Sequence, residues 1–299
     1  MTEFVLTLSC PDRPGIVAAV SGLLARRGGN ITESQQFGDR DTGRFFMRVQ
    51  FTVDPAGSAE QARSTGTAGS GGPADGDGLR AALAGLAPEF SLDWELHDTA
   101  VRPRVLILVS RAGHCLNDLL FRQRSGQLGI DIVAVASNHP DLRPLTQTHG
   151  VDYHHLPVRP ETRAAQENEI LTLVEHYRAD FVVLARYMQV LTDAFCGKLP
   201  GRIINIHHSF LPSFKGARPY HQAHARGVKL IGATAHYVTT DLDEGPIIEQ
   251  EVARVDHADS PAELVAIGRD TECLALARAV RWHADHRVLL NGDKTVVFR

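Results

Sequence analysis

The chain has 299 residues, 43% of them hydrophobic and 22% charged, with a formal net charge of −4; this balance excludes a largely disordered or fibrous protein and predicts two globular domains. No apolar run reaches the roughly 18–20 residues of a membrane span. Met1 to Leu8 lacks the pattern of a signal peptide, so a cytoplasmic protein off the membrane is expected, and scattered Lys and Arg argue against nucleic acid as partner.

Taken in order, Phe4, Leu6 and Leu8 alternate as in a strand, and Asp12-Arg13-Pro14-Gly15 reads as a helix start with Asp12 as its cap. Ile16, Val20, Leu23 and Leu24 then recur at helical spacing up to Gly28-Gly29. Asn30 to Phe37 reads as a second strand, and Phe45, Met47, Val49, Phe51 and Val53 mark one face of a third. Next comes the compositional exception: seven of the 26 glycines fall within Asp54 to Gly78, a low-complexity stretch with little to bury that reads as flexible. Beyond it Leu79, Leu83 and Leu86 are helically spaced, and Phe90, Leu92, Trp94 and Leu96 alternate. The order βαββαβ is that of a ferredoxin-like unit. The stretch 54–78 is therefore an insertion inside a domain of residues 1–98, and the linker falls at 99–103.

Asp12-Arg13-Pro14-Gly15-Ile16-Val17 followed by Gly29-Asn30-Ile31 resembles the ACT domain. That resemblance implies an amino-acid effector site, with methionine or glycine as effectors, at Asp12, Gly15, Asn30 and Ile31, and assembly into a homo-oligomer. Free N–H groups at a helix start suit a carboxylate; the plainer alternative is that these residues only cap and turn the chain.

From Arg104 the texture changes. Val105 to Val109, Asp131 to Ala136, Asp180 to Ala185 and Ile203 to Ile206 are short apolar runs separated by helix-length segments such as Glu161 to Tyr177. Such runs mark parallel strands buried on both faces, hence a doubly wound α/β sheet in residues 104–299. Its ligands bind beyond the carboxyl ends of the strands. There stand Asn205 and His207, and after the strand Leu230 to Val238 the run Asp241-Leu242-Asp243-Glu244-Gly245-Pro246. An amide can stabilise an oxyanion, an imidazole can act as acid or base, and a carboxylate can orient either a water or the imidazole. The histidines 207, 208, 221, 224 and 236 fit no standard zinc spacing, and Ser209 lacks a GxSxG elbow; no metal is expected. His208, His221 and His224 read as structural supports. Cys10, Cys115, Cys196 and Cys273 lie far apart and read as reduced, mostly buried thiols. A helix around Cys273 to Trp282 and a hairpin over Val288 to Phe298 end the chain.

Asn205-x-His207, Ser209-x-Leu211-Pro212, Lys215-Gly216 and Leu242-Asp243-Glu244-Gly245-Pro246 resemble the folate-dependent formyltransferase family over about Val105 to Arg254. The resemblance implies a mostly parallel Rossmann-like formyltransferase domain and a catalytic set of Asn205, His207 and Asp243. It also implies a folate pocket at Met188, Gln189, Val190, Leu191, Val238, Thr240 and Leu242. Two departures bear on the reaction. His208 replaces the proline of transferases acting on a phosphorylated acceptor, and Ser110-Arg111-Ala112-Gly113-His114-Cys115 replaces their Gly-Ser-Gly phosphate turn, leaving no backbone nest for phosphate. With Gly216-Ala217-Arg218-Pro219-Tyr220-His221-Gln222, the chain is similar to family members that pass the formyl group to water. The implied reaction hydrolyses 10-formyltetrahydrofolate to formate and tetrahydrofolate, balancing folate pools and supplying formate for purine synthesis. Folate is then the substrate and no cofactor is expected. In it Asp243 positions and helps deprotonate the water, while Asn205 and His207 stabilise the oxyanion. The alternatives are formyl transfer to an amine acceptor and an amino-acid-sensing protein without turnover.

Overall fold

The computed structural model describes residues 1–54, 76–211 and 219–299, and its contacts divide the chain into two compact units, Met1–Val101 with Val296–Arg299, and Arg102–Thr295. Most of the glycine-rich insertion, together with Pro212, Lys215-Gly216 and the run to Arg218, lies outside the described residues. No helix among the described residues is long and apolar enough to cross a membrane.

The first unit follows the expected order: β1 (Thr2–Pro11), α1 (Ile16–Arg26), β2 (Gly29–Asp39), β3 (Arg44–Val53), α2 (Gly76–Phe90) and β4 (Asp93–Asp98). These strands form an antiparallel sheet of order β2-β3-β1-β4. Period-two alternation sends Phe45, Met47, Val49, Phe51 and Val53 to one face, where they pack on Ile16, Val20 and Leu24 of α1 and Leu79 and Leu83 of α2. At roughly 1.5–3 kcal/mol per fully buried large aliphatic side chain, this shared core holds both helices to the sheet. Asp12 does not cap α1. The cap position is Gly15, whose left-handed backbone (φ 98) no side chain supports, and the Asp12 N–H instead donates to the Gly43 carbonyl at 2.8 Å.

The second unit is a seven-stranded sheet of order β11-β10-β9-β8-β5-β6-β7. Its parallel strands are β5 (Arg104–Val109), β6 (Asp131–Ser137), β7 (Asp152–His155), β8 (Phe181–Leu184) and β9 (Ile203–His207). Val105, Ile107 and Val109 face one core and Leu106 and Leu108 the other, which is why the strand is apolar at every position. The strands are separated by α3 (His114–Arg124), α4 (Arg143–Thr148), α5 (Arg163–His176) and α6 (Asp193–Cys196). The order reverses between β5 and β8, the point where doubly wound sheets open a ligand crevice.

β10 (Leu230–Tyr237) and β11 (Ile247–Arg254) run antiparallel to their neighbours. The carboxyl end of β10 therefore points away from that of β9, against the expectation that Asn205, His207 and Asp243 come from two adjacent strand ends. After β9 comes α7 (Pro219–Arg226), and after β11 comes α8 (Pro261–Ala284). α8 is much longer than the expected Cys273–Trp282 segment because it starts at a capping box: Ser260 accepts the Glu263 N–H, and Glu263 accepts the Ser260 N–H at 2.7 Å. The hairpin β12 (Val288–Asn291) and β13 (Lys294–Val297) completes the described strands.

Candidate active site

Asn205 and His207 are two residues apart on β9, so the strand period places both side chains on one face. His236 is the direct cross-strand partner of Asn205 and joins them there. Asp243 arrives differently. After β10 the loop 238–246 folds back, pinned where Val238 N–H donates to Ile203 at 2.9 Å and Tyr237 N–H to Pro246 at 2.9 Å. Gly245 permits this close approach, since a Cβ there would lie 1.8 Å from the Tyr237 carbonyl oxygen. Asp243 itself takes a left-handed backbone, φ 57, a strained choice for a non-glycine residue that concentrates at functional sites.

The result is a connected polar set. Asp243 Oδ2 lies 3.2 Å from His207 Nδ1 and its Oδ1 lies 3.7 Å from His236 Nε2. His236 Nδ1 faces the Tyr237 carbonyl at 2.9 Å, which assigns its proton to Nδ1 and leaves Nε2 to accept from Asn205 Nδ2 at 3.1 Å. One N–H of the Asn205 amide is thereby fixed and its second remains for a ligand. His207 is buried, and its Nε2 has no hydrogen-bond partner among the described residues.

Burial by itself would raise the Asp243 carboxyl, but the hydrogen bond that it accepts from His207 outweighs it and holds the pKa well below the usual carboxylate range. His208 stacks on His207 with ring centroids 5.1 Å apart. Burial, then the neighbouring Arg186 and His207, push His208 down to about 4, so it is neutral at pH 7.

These groups open on a cavity of about 320 Å³. All ten residues expected to catalyse or to hold folate line it: Asn205, His207 and Asp243, with Met188, Gln189, Val190, Leu191, Val238, Thr240 and Leu242. Met188, Val190 and Leu242 are large apolar side chains that remain half or more exposed, as suits walls that a ligand covers. The four residues expected to bind an effector do not converge within the chain. Asp12 lies at the Gly38 end of β2, with its carboxylate 3.1 Å from where a Gly38 Cβ would stand. Asn30 and Ile31 sit at the other end of that strand, eight residues and roughly 26 Å away. Gly15 opens α1, which runs from the Asp12 side. No motif or spacing in the sequence marks His236, Arg186 or Glu272. The partnership of His236 with Asn205 depends on strand register, for which the sequence carries no signal.

An amide, an imidazole and a carboxylate on one wall of a cavity are the groups that suit an enzyme attacking a carbonyl carbon directly. Residues 103–280 match the family model described as formyl transferase, and residues 4–65 match that of the ACT domain. A formyltetrahydrofolate deformylase of a Corynebacterium species is 51% identical over 295 residues, 99% of this chain and 98% of its own. The crystal structure of a formyltetrahydrofolate deformylase from Burkholderia mallei is 52% identical, with a TM-score of 0.90 over the whole of both chains. A glycinamide ribonucleotide transformylase from Symbiobacterium toebii is 30% identical, with a TM-score of 0.63 over 69% of this chain and 98% of that one. The chain belongs to the formyltetrahydrofolate deformylase family.

Proposed function

We propose that the chain hydrolyses 10-formyltetrahydrofolate to formate and tetrahydrofolate, a hydrolase acting on a formyl C–N bond. The observation that carries the reading is the Asp243–His207 pair at 3.2 Å on the wall of the cavity. Water held by the Asp243 carboxylate attacks the formyl carbon, and the C=O becomes a tetrahedral oxyanion that accepts the free N–H of Asn205. The proton leaving the water passes to the Asp243–His207 pair. It rests on the imidazole, because the carboxylate is the stronger acid; Asp243 thus acts chiefly by placing the water and stabilising the imidazolium. The pair returns the proton to N10 as the C–N bond breaks and the oxyanion re-forms a C=O, releasing tetrahydrofolate and formic acid, which gives up its hydroxyl proton to become formate. The apolar wall of Met188, Val190 and Leu242 holds the folate ring, and the step calls for no cofactor.

On this reading the ACT domain binds an amino acid such as methionine or glycine and modulates turnover, in a cytoplasmic homo-oligomer. The test is incubation with 10-formyltetrahydrofolate alone, following formate and tetrahydrofolate. Stoichiometric formation of both supports hydrolysis, turnover only with an added amine makes the chain a transferase, and binding without turnover makes it a sensor. Repeating the assay with methionine or glycine, beside light scattering for assembly, tests the regulatory part.

A further inference from the structure

At the reversal point of the second sheet, the chain fills the crevice with its own charges. Arg186 follows the end of β8 with a left-handed backbone (φ 64), and its carbonyl accepts the N–H of Ser110, the residue after β5, at 3.2 Å. Its guanidinium Nε lies 3.3 Å from Glu272 Oε2, a side chain only 1% exposed, brought in by α8. His114 Nε2, at the start of α3, lies 2.7 Å from the same oxygen, and the Tyr220 hydroxyl donates to Oε1 at 2.8 Å. This cluster is built in: at Gly268, one turn before Glu272, a Cβ would lie 2.1 Å from Tyr220 Cζ, so only glycine lets the ring reach its place. Burial would raise the Glu272 carboxyl, but the His114 hydrogen bond and the Arg186 charge outweigh it, and it stays ionised.

His114, Cys115 and Glu272 also present ligand atoms within 4.8 Å of one another. A metal fits poorly, because a guanidinium stands beside the carboxylate. A hydrogen bond to Cys273, then burial, also keeps the Cys115 thiol protonated. The cluster is an internal ion pair.

We infer that Glu272 is a specificity-determining residue: its carboxylate is a tethered anion in the place where the phosphate of an acceptor would bind, and it thereby reserves the formyl group for water. Arg186 makes the connection, since it walls the catalytic cavity and binds Glu272. Beyond the switch-point strands such sheets receive phosphate-bearing ligands, and the related Symbiobacterium enzyme is, by its name, a transformylase of a ribonucleotide. Here the cation suited to a phosphate, Arg186, is paired from within by Glu272. The inference rests on the hydrolytic reading above.

Inorganic phosphate is the probe, used without folate so that the result is independent of whether the enzyme releases formate. Thermal unfolding of the full-length wild type, Glu272→Gln and the double variant Arg186→Met/Glu272→Gln is followed in phosphate and in sodium chloride of equal ionic strength. Phosphate at about 100 times its Kd raises the Tm of Glu272→Gln by roughly 5 °C beyond the small, general salting-out rise shared by wild type and the double variant. Should Glu272→Gln not fold in chloride, its refolding yield in phosphate replaces Tm: rescue supports the inference and no rescue overturns it. It is equally overturned by a Glu272→Gln protein indifferent to phosphate, or by a wild type stabilised as much.

Discussion

Asp243 Oδ2 and His207 Nδ1 stand 3.2 Å apart, joined by a loop that doubles back over the face of β9 from the far end of β10. Neither residue owes its position to the other's sequence neighbourhood. The pair forms because Gly245 lets the loop pass close to the Tyr237 carbonyl and because Asp243 accepts a left-handed backbone.

Replacing Asp243 by Asn removes the charge that stabilises the imidazolium while keeping the side chain's size. Turnover should fall by about 10³–10⁴-fold, with folate binding within a few-fold of wild type by fluorescence titration. The same substitution has a signature in stability. A carboxyl held below its unfolded value of about 3.9 stabilises the fold above that pH and loses this contribution as pH falls toward the folded value. The stability advantage of wild type over Asp243→Asn, from urea titrations, should therefore be present at pH 7 and shrink below about pH 4.

Asn205→Ala should lower kcat by about 10²–10³-fold, the usual cost of a lost oxyanion donor. His236→Leu leaves that donor in place but frees it to turn, so its loss should be smaller and should fall on kcat more than on KM. A His236→Leu enzyme with wild-type kcat would show that the 3.1 Å contact with Asn205 does not orient the amide.

His208 titrates at about 4 in the folded protein, against about 6.5 unfolded. Between these values the unfolded chain binds the extra proton, so stability declines as pH falls from about 6.5 to 4. By pH 5 this group alone should cost about 2 kcal/mol. His208→Asn cannot titrate; its stability curve should be flatter by that amount over this window, and parallel curves for the two proteins would refute the assignment.

Gly245→Ala places a methyl group against the Tyr237 carbonyl oxygen, a backbone atom that cannot swing aside. The loop must shift, costing about 1–3 kcal/mol, and Asp243 moves with it. Activity should fall more steeply than the melting temperature, because a displacement of about 1 Å at the reacting groups is enough for a 10²-fold loss.

Much of this architecture was legible beforehand because it is local. The doubly apolar runs around Val105 and Val182 can only be strands covered on both sides, and the alternation from Phe45 to Val53 can only be a strand covered on one. β11 carries no such signal, being an edge strand in which Glu249, Gln250 and Glu251 interrupt the apolar pattern. At the site, period two already put Asn205 and His207 on a common face, whereas Asp12 looked like a helix cap only until Gly15 took that position.

The sequence by itself determined the residue types, their spacing along each strand and helix, and through these the two kinds of sheet and the place of Asn205 beside His207. Only the tertiary structure decided the direction of β10, the register that sets His236 against Asn205, the loop that returns Asp243, and the meeting of Arg186, His114 and Tyr220 on Glu272. The physical reason is range. Periodicity acts over a few residues of chain, while a shifted pKa or a buried ion pair depends on groups brought from distant elements into a volume that excludes water.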